Sequence, residues 1–406
     1  MKDYEAAAKK LGFALYPWQK QVLDYGVDGG DLIMIVKTSG GKTLIYADLI
    51  AMDGSGLTIV VSPFRALQQD QEQRFRGLGM QAVLLNSDLS KKERREILDR
   101  LDQIDVLFLA PEQLERADLR EALEGCSVNR VVLDEAHTLP QSQAVFRPAF
   151  GKIGSFIASL PDHPQVIACT ATATKNERQE IIESLGMRDP KTFTFPVRRE
   201  NLHLHVKELP GGERGELLLF QAVEDELRSW KKKGKGCAVI YCPTPKRVTE
   251  LAVWLGSRSY ECAMYTGPMK ASEREESFRA FMTGDVKIMV ATNAFGVGID
   301  KPNVRLLIHA GLPVSFSGYV QEIGRSGRNG KTARCVLYYA PADVSRNERI
   351  LRIENKEETK RRKKDLSKMK DYVDSGECRW RQIESYFGEK PGEKCKHCDN
   401  CIKGDK

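Results

Sequence analysis

The sequence predicts an α/β protein with two tandem, doubly wound parallel sheets and a small C-terminal helical zinc-binding module. Three observations support this fold class. A glycine loop ending in Lys-Thr follows an apolar run at 32–36. Short apolar runs then alternate with polar, helix-like stretches, as is typical of strands buried on both faces of a parallel sheet. Four cysteines with metal-ligand spacing come last. We predict domains at 1–196, 197–340 and 341–406.

Length and composition limit the class of protein. A chain of 406 residues exceeds what one core usually supports. No apolar run reaches the roughly 18 residues that a membrane span needs, and no secretory signal is recognisable. Ten cysteines then indicate a reducing compartment, with thiols free or bound to metal. The net charge of +7 permits a polyanionic partner without demonstrating one. We expect an intracellular protein, cytoplasmic or, in a eukaryote, nuclear, with no membrane partner.

The glycine loop VKTSGGKT at 36–43 has the features of a phosphate-binding P-loop. Gly40 and Gly41 let backbone N–H groups approach phosphate oxygens. Lys42 can place a positive charge on the β- and γ-phosphates, and Thr43 can offer a hydroxyl to Mg²⁺. The strict pattern has glycine at the first position, which is valine here. Taken alone, the loop could be an unrelated turn.

Upstream of the loop, LYPWQ at 15–19 could receive the base of a nucleotide. Gln19 could read adenine through its amide group, and Tyr16 or Phe13 could stack on the base. A proline-containing turn with apolar anchors explains the same residues equally well.

An acidic motif, DEAH, follows the apolar run RVVL about ninety residues after the P-loop. Asp134 at a strand end can hold Mg²⁺ through water, and Glu135 can orient and deprotonate the attacking water. TATAT at 170–174 ends a further apolar run, and its hydroxyls could relay between the nucleotide and a bound strand. A helix N-cap would give the same pattern.

Two other strand ends carry hydrogen-bond donors. SPFRALQQDQ begins at Ser62 and contains Arg65, and APEQL occupies 110–114. Either stretch could hold phosphates of a nucleic-acid strand, although ordinary loop and cap chemistry would look the same.

The second half, from about Val197, repeats the alternation without a second P-loop. Two glycine- and arginine-bearing stretches follow strands, at 291–304 and 319–330. Arg325 and Arg328 are three apart, so they could point to one side and suit a γ-phosphate presented across a domain cleft. Paired arginines also commonly solvate a surface.

The C-terminal part differs in composition from the alternating runs before it. A highly charged stretch at 345–372 predicts a helix or helix pair, either solvated or in contact with phosphate. Four cysteines spaced C-x16-C-x2-C-x2-C then predict a structural zinc site, with an iron–sulfur cluster as the alternative. The predicted ligands are Cys378, Cys395, Cys398 and Cys401. The other cysteines lie in or beside apolar runs and are interpreted as core residues. His203, His205 and His309 are interpreted as strand residues without chemistry, and His397 as a bystander.

In this order, the motifs resemble those of superfamily 2 nucleic-acid helicases, and specifically the RecQ family of DNA helicases. FGVGIDKPNVR, the FRP at 146–148 and the cysteine module distinguish RecQ from the rest of the superfamily. The resemblance covers essentially the whole chain. It implies two RecA-like domains with ATP between them and single-stranded DNA across their top. It further implies a 3′→5′ ATP-driven translocase that separates DNA duplexes in repair or recombination.

The resemblance also assigns cofactors and roles. It implies ATP, Mg²⁺ and Zn²⁺, with single-stranded and partly duplex DNA as partners of a monomer. It assigns catalysis to Lys42, Asp134, Glu135, Arg325 and Arg328, with Mg²⁺ on Thr43 and Asp134. It assigns nucleotide binding to Tyr16, Gln19, Ser39, Gly40, Gly41, Lys42, Thr43, Gly298, Asp300 and Gln321. It assigns DNA contacts to Ser62, Arg65, Phe146, Arg147, Thr292 and Asn293.

The sequence departs from the family pattern at three places. Ser39 stands where the family usually has glycine, and the arginine expected near Tyr16 is missing. The loop after DEAH has Ser142, Ala144 and Val145 where the family has Trp, His and Asp. The winged helix and helical domain of many relatives are not found in the sequence. We therefore expect a minimal form whose ATP hydrolysis is better supported than its duplex unwinding.

The replacement of these family residues in the loop after DEAH gives a prediction. A stacked aromatic is worth about 1–3 kcal/mol per base, so DNA should stimulate ATP hydrolysis less than is usual in the family. Phe146→Ala should then lower the DNA-stimulated rate further and leave the basal rate unchanged. A stimulated rate that is the same in both proteins would remove this loop from the mechanism.

Two other functions remain open at this point. One is an RNA helicase, because the nucleotide motifs do not detect the 2′-hydroxyl. The other is a nucleic-acid binding or strand-annealing module with a weak ATPase. A P-loop kinase or GTPase explains neither the second half nor the cysteines.

Overall fold

The computed structural model describes residues 4–36, 40–139, 148–233, 236–296, 301–351 and 356–404. The chain forms two compact units, 1–196 and 197–406. Every strand pairing among the described residues is parallel, which confirms the predicted fold class. Within the described residues, no helix combines the length and apolar character that crossing a bilayer requires.

The first unit contains a sheet of order β3-β4-β2-β5-β6-β1-β7. Its strands are β1 Leu32–Ile35, β2 Leu57–Val61, β3 Ala82–Leu85, β4 Val106–Leu109, β5 Val128–Leu133, β6 Gln165–Thr170 and β7 Lys191–Thr194. Its described helices are α1 Tyr4–Lys10, α2 Pro17–Gly26, α3 Lys42–Asp53, α4 Arg65–Gly77, α5 Lys91–Leu98, α6 Ala117–Leu123, α7 Ile153–Ser159 and α8 Lys175–Leu185. Short 3-10 turns lie at Leu101–Gln103, Pro111–Glu115 and Pro148–Lys152. The central strands are buried along their whole length, as the continuous apolar runs predict.

Strand register places the motifs of this unit together. Ile35 pairs with Thr170, and Val61 pairs with Leu133. Since the carboxyl ends of parallel strands share one edge, the P-loop, TATAT, DEAH and the loop before α4 emerge side by side.

The second unit has a sheet of order β10-β11-β9-β12-β13-β8. Its strands are β8 Leu202–Glu208, β9 Cys237–Tyr241, β10 Ala263–Tyr265, β11 Ile288–Ala291, β12 Val304–Ala310 and β13 Ala333–Tyr339. Its described helices are α9 Gly212–Lys233, α10 Pro245–Gly256, α11 Ala271–Thr283, α12 Phe316–Ile323, α13 Ala342–Ile350, α14 Lys356–Asp374, α15 Arg379–Tyr386 and α16 Asp399–Gly404. The charged stretch at 345–372 therefore spans two helices.

The cysteine-bearing end of the chain packs onto the second sheet. The buried residues Trp380 and Tyr372 share one hydrophobic core with Leu202 and Leu204 of β8. The Trp380 indole N–H donates to the Leu202 carbonyl at 3.2 Å. The C-terminal helices therefore depend on β8 for their own core.

Asp48 lies on α3 and is a buried acid. It is fully buried, and neither carboxylate oxygen has a hydrogen-bond partner among the described residues. Burial raises the pKa of this carboxyl to about 7. The folded state therefore favours the protonated, uncharged form.

Asp48→Asn should change how stability depends on pH. The unfolded carboxyl loses its proton near pH 4, whereas the folded one keeps it until about pH 7. Wild-type stability should therefore fall as pH rises from about 4 to 7, and the variant should lack this fall. A shift of one pKa unit corresponds to about 1.4 kcal/mol. Above pH 7 the free energy of unfolding of the variant should therefore exceed that of the wild type by up to about 4 kcal/mol. Calorimetric unfolding of both proteins from pH 4 to 8 tests this, and parallel profiles would contradict it.

Candidate functional site

The P-loop is braced by the residue predicted to read adenine. Gly41 begins α3 with a left-handed φ of 86°, and a Cβ there would lie 2.8 Å from the Gln19 amide nitrogen. Glycine is therefore required by both backbone conformation and space. The buried Gln19 amide donates to the Gly41 carbonyl at 3.1 Å and accepts from the Tyr16 N–H at 2.8 Å. Reading a base would require Gln19 to exchange these bonds, whereas Tyr16 is 61% exposed and open to stacking.

The DEAH carboxylates lie at the end of β5, close to the P-loop lysine. Asp134 is buried, and its Oδ1 accepts the Glu135 N–H at 2.9 Å. Glu135 has a left-handed φ of 53°, an uncommon conformation for a non-glycine residue that is found disproportionately at functional sites. Burial and the neighbouring Glu135 charge raise the pKa of Asp134, while Lys42 opposes this.

The donor set around Asp134 fits a magnesium ion. Asp134 and Glu135 together carry more negative charge than Lys42 can balance. A divalent cation would provide the missing positive charge. The oxygens of Asp134 and Thr43 are ligands of the kind Mg²⁺ prefers. The first unit can therefore hold phosphates and a metal ion at one edge of its sheet.

His137 links DEAH to TATAT, a role that the sequence did not reveal. Its Nδ1 lies 3.3 Å from Glu135 Oε2 and 3.1 Å from the Thr170 hydroxyl. The Thr170 hydroxyl in turn donates to the Thr172 carbonyl at 2.9 Å. The Thr172 hydroxyl has no hydrogen-bond partner among the described residues, so the relay of hydroxyls predicted for TATAT stays a prediction. The available signal was the fourth letter of DEAH, which stands two residues after Glu135.

The two predicted nucleic-acid contacts that follow β2 are placed differently. Arg65 has about half of its side chain exposed and pairs with Asp88. Ser62 is fully buried, and its carbonyl accepts from the Gln68 amide at 2.6 Å. The predicted contact from Ser62 does not agree with this placement, because its hydroxyl is not at the surface.

In the second unit, Arg325 and Arg328 lie on a tight turn after α12. The Arg199 guanidinium donates to the carbonyls of Gly324 at 2.7 Å and Gly327 at 2.6 Å. The Asn201 amide donates to the same Gly327 carbonyl at 2.8 Å. Arg199 and Asn201, which the sequence did not single out, therefore hold the arginine turn in place.

The turn that carries Thr292 and Asn293 lies against this arginine turn. A Cβ on Gly296 would lie 3.1 Å from Arg325 Nη2, so the guanidinium packs directly on that glycine. Thr292 is buried, whereas Asn293 is exposed. The side chain of Asn293 is therefore available to contact a phosphate. Gln321 is half-buried on α12.

A buried layer of side chains connects the strands behind these two turns. The Tyr241 hydroxyl donates to the Phe295 carbonyl at 2.7 Å, and its ring stacks on His309 with centroids 5.5 Å apart. His309 Nε2 lies 2.8 Å from Glu322 Oε2 on α12. His309 is a strand residue, as predicted, and it also supports the helix that precedes the arginine turn.

Several predicted site residues lie outside the described residues, so their roles remain predictions. They are Ser39, Phe146, Arg147, Gly298 and Asp300.

The four cysteine thiols form a buried cluster. All four sulfur atoms lie within 4.8 Å of one another, and none is in a disulfide. The backbone N–H groups of Cys395 and Cys398 donate to the sulfurs of Cys378 at 3.4 Å and Cys395 at 3.3 Å. Hydrogen bonding from the Cys395 thiol lowers the pKa of the Cys398 thiol, which favours the thiolate form that metals bind.

A buried ion pair frames this cluster. The Arg379 guanidinium donates to both carboxylate oxygens of Asp399, at 3.0 Å each. Arg379 follows Cys378 and Asp399 follows Cys398, so the pair links the two halves of the ligand set. Such bidentate geometry fixes orientation as well as distance.

Three protein-family models match the chain. They are a DEAD/DEAH box helicase model at residues 16–181, a helicase conserved C-terminal domain at 219–330 and a RecQ zinc-binding model at 341–402.

Curated relatives match along nearly the whole chain. An ATP-dependent DNA helicase RecQ of Bacillus subtilis is 33% identical and aligns with 90% of this chain and 61% of its own length. The Pasteurella multocida RecQ helicase is 32% identical over 95% of this chain and 59% of that protein. The Mus musculus ATP-dependent DNA helicase Q5 is 34% identical over 97% and 42%. The chain thus spans about three fifths of the bacterial relatives.

Solved structures share the fold. Mss116p bound to single-stranded RNA and AMP-PNP gives a TM-score of 0.70 at 21% identity, covering 89% of this chain and 78% of its own. The Mycobacterium smegmatis helicase Lhr bound to single-stranded DNA and AMP-PNP gives 0.66 at 19% identity, covering 86% and 49%.

Two parallel-sheet units, one with a P-loop beside DEAH and one with an arginine turn, define a superfamily 2 helicase core. The four-cysteine module distinguishes the family within that class. The chain belongs to the RecQ helicase family.

Proposed function

We propose that this protein is an ATP-dependent DNA helicase or translocase that moves 3′→5′ on single-stranded DNA. The observation that carries the proposal is the placement of Lys42 beside the adjacent carboxylates Asp134 and Glu135 at one sheet edge. It would act as a monomer in repair or recombination, in the cytoplasm or, in a eukaryote, the nucleus.

Different residues of the first unit would carry out different parts of ATP hydrolysis. Gly40, Gly41 and Lys42 would bind phosphates, and Thr43 and Asp134 would hold Mg²⁺. The ion would neutralise phosphate charge when bound. Glu135 would orient the attacking water and accept its proton.

The arginine turn has a separate role. Arg325 and Arg328 would stabilise the charge that develops on the γ-phosphoryl oxygens. Arg199 and Asn201 donate hydrogen bonds to backbone carbonyls of this turn. These bonds support the role, because arginines on a turn that is already fixed need not be ordered during the reaction.

We propose zinc for the cysteine cluster. A tetrahedral ion with Zn–S bonds of about 2.3 Å places sulfurs about 3.8 Å apart, and Cys395 Sγ lies 3.9 Å from Cys401 Sγ. Sulfurs this close can share a single ion. An iron–sulfur cluster distributes its four thiolates over two or more iron atoms, so they would not all lie within 4.8 Å of one another as they do here.

DNA is favoured over RNA as the nucleic acid. The RecQ-named relatives are DNA helicases by name and match over nearly the whole chain. The likeness to RNA-bound Mss116p, at 21% identity, supports the fold alone.

Strand separation on partial duplexes tests the proposal. We expect ATP-dependent release of the shorter strand from a DNA duplex with a 3′ overhang and not from one with a 5′ overhang. Matched RNA duplexes should be released poorly. Preferential unwinding of RNA would establish the RNA helicase. Annealing of complementary strands without ATP turnover would establish the binding or annealing module.

A further inference from the structure

Gln71 contacts the predicted metal-holding carboxylate from the interior of the first unit. It lies on α4, 3% exposed. Its amide nitrogen donates to Asp134 Oδ2 at 2.7 Å and to the Tyr46 hydroxyl at 3.2 Å. Its carbonyl oxygen has no hydrogen-bond partner among the described residues. The amide is therefore held through its donor side, by Asp134 and Tyr46.

Tyr46 connects this contact to the second predicted metal ligand. It is buried on α3, one helical turn after Thr43, and its ring stacks on Phe75 of α4 with centroids 5.5 Å apart. Burial raises the pKa of its hydroxyl, and hydrogen bonding with the Thr43 hydroxyl opposes this. Two hydrogen bonds from Gln71 thus join Tyr46 to Asp134, and Tyr46 lies one helical turn from Thr43 on α3.

The geometry fixes both oxygens of Asp134. Oδ1 accepts the Glu135 N–H at 2.9 Å, and Oδ2 accepts the Gln71 amide at 2.7 Å. A carboxylate with two fixed donors cannot rotate freely about its terminal bond. Groups that orient a metal ligand in this way typically affect metal affinity 10- to 100-fold.

We propose that Gln71, supported by Tyr46, is a positioning residue for the Mg²⁺ site and orients Asp134 toward the ion. The inference rests on the proposed function, because it assumes that Mg²⁺ and nucleotide bind at the P-loop. Gln71 acts through Asp134 and does not itself contact nucleotide. A role confined to core packing would instead affect folding and leave the dependence on Mg²⁺ unchanged.

The test compares Gln71→Ala with Gln73→Ala, an exposed glutamine on the same helix. Binding of a fluorescent ADP analogue is measured with and without Mg²⁺, and ATP hydrolysis is measured across a Mg²⁺ titration. For Gln71→Ala we expect at least a tenfold rise in the Mg²⁺ concentration for half-maximal rate. The strengthening of ADP binding by Mg²⁺ should also be lost, with Mg²⁺-free binding unchanged. Gln73→Ala should behave as wild type.

A second variant keeps the proposal testable if Gln71→Ala does not fold. Tyr46→Phe retains the ring stacked on Phe75 and removes only the hydroxyl, so it should shift the Mg²⁺ dependence in the same direction by a smaller factor. An unchanged Mg²⁺ dependence in a folded Gln71→Ala or Tyr46→Phe protein would overturn the proposal. Equal loss of ADP binding with and without Mg²⁺ would also overturn it. Wild-type protein that shows no Mg²⁺-dependent nucleotide binding would instead refute the proposed function.

Discussion

Lys42→Ala should abolish ATP turnover and leave binding to single-stranded DNA largely intact. Lys42 is the cation that opposes the charge of Asp134 and Glu135, and it would also contact the β- and γ-phosphates. Removing a group that stabilises the charge of the transition state typically lowers the catalytic rate by about 10²–10³. A P-loop lysine also contributes to binding of the nucleotide before the reaction. The measurements are steady-state hydrolysis and fluorescence anisotropy with a labelled oligonucleotide.

Lys91→Ala, at the exposed start of α5, is the matched control and should behave as wild type. The separation of the two effects is expected because the exposed candidates for DNA contact, such as Arg65, lie on other segments than the P-loop. Matched loss of hydrolysis and DNA binding in Lys42→Ala would show that the two sites are not separable.

Cys395→Ser should remove the metal and unfold the C-terminal part of the second unit. All four cluster cysteines belong to the same hydrophobic core as Trp380 and β8. Structural zinc contributes its binding energy to folding, about 10–16 kcal/mol for zinc-finger peptides. We expect loss of zinc by elemental analysis, a lower unfolding temperature and reduced soluble yield.

Cys126→Ser is the control, since this half-buried cysteine of the first unit lies outside the cluster. Its zinc content should equal that of wild type. A soluble, metal-free Cys395→Ser protein with full activity would refute the structural metal site.

The central strands were predictable because their signal is local. β2 and β6 are continuous apolar runs, and both are buried throughout. The edge strand β7 has a mostly exposed sequence, KTFT, and exists because it pairs with β1. β10 has only three residues. Strands of this kind depend on their neighbours more than on their own composition.

Motif spacing predicted candidate catalytic residues but not the residues that contact and support them. Lys42 and Asp134 were identified from P-loop and DEAH patterns, whereas Gln71 and Arg199 act through contacts that only the folded chain creates. Spacing also could not show that Ser62 faces inward. Sequence therefore predicts which chemistry is present more reliably than which way a side chain points.

Steady-state ATP hydrolysis with and without single-stranded DNA, on protein of measured zinc content, tests the central claim most directly. We predict clear stimulation by DNA, because the P-loop, the DEAH carboxylates and the arginine turn are each held in place. A rate that DNA leaves unchanged, in protein with its full metal content, would contradict a DNA-driven motor and favour the binding or annealing module.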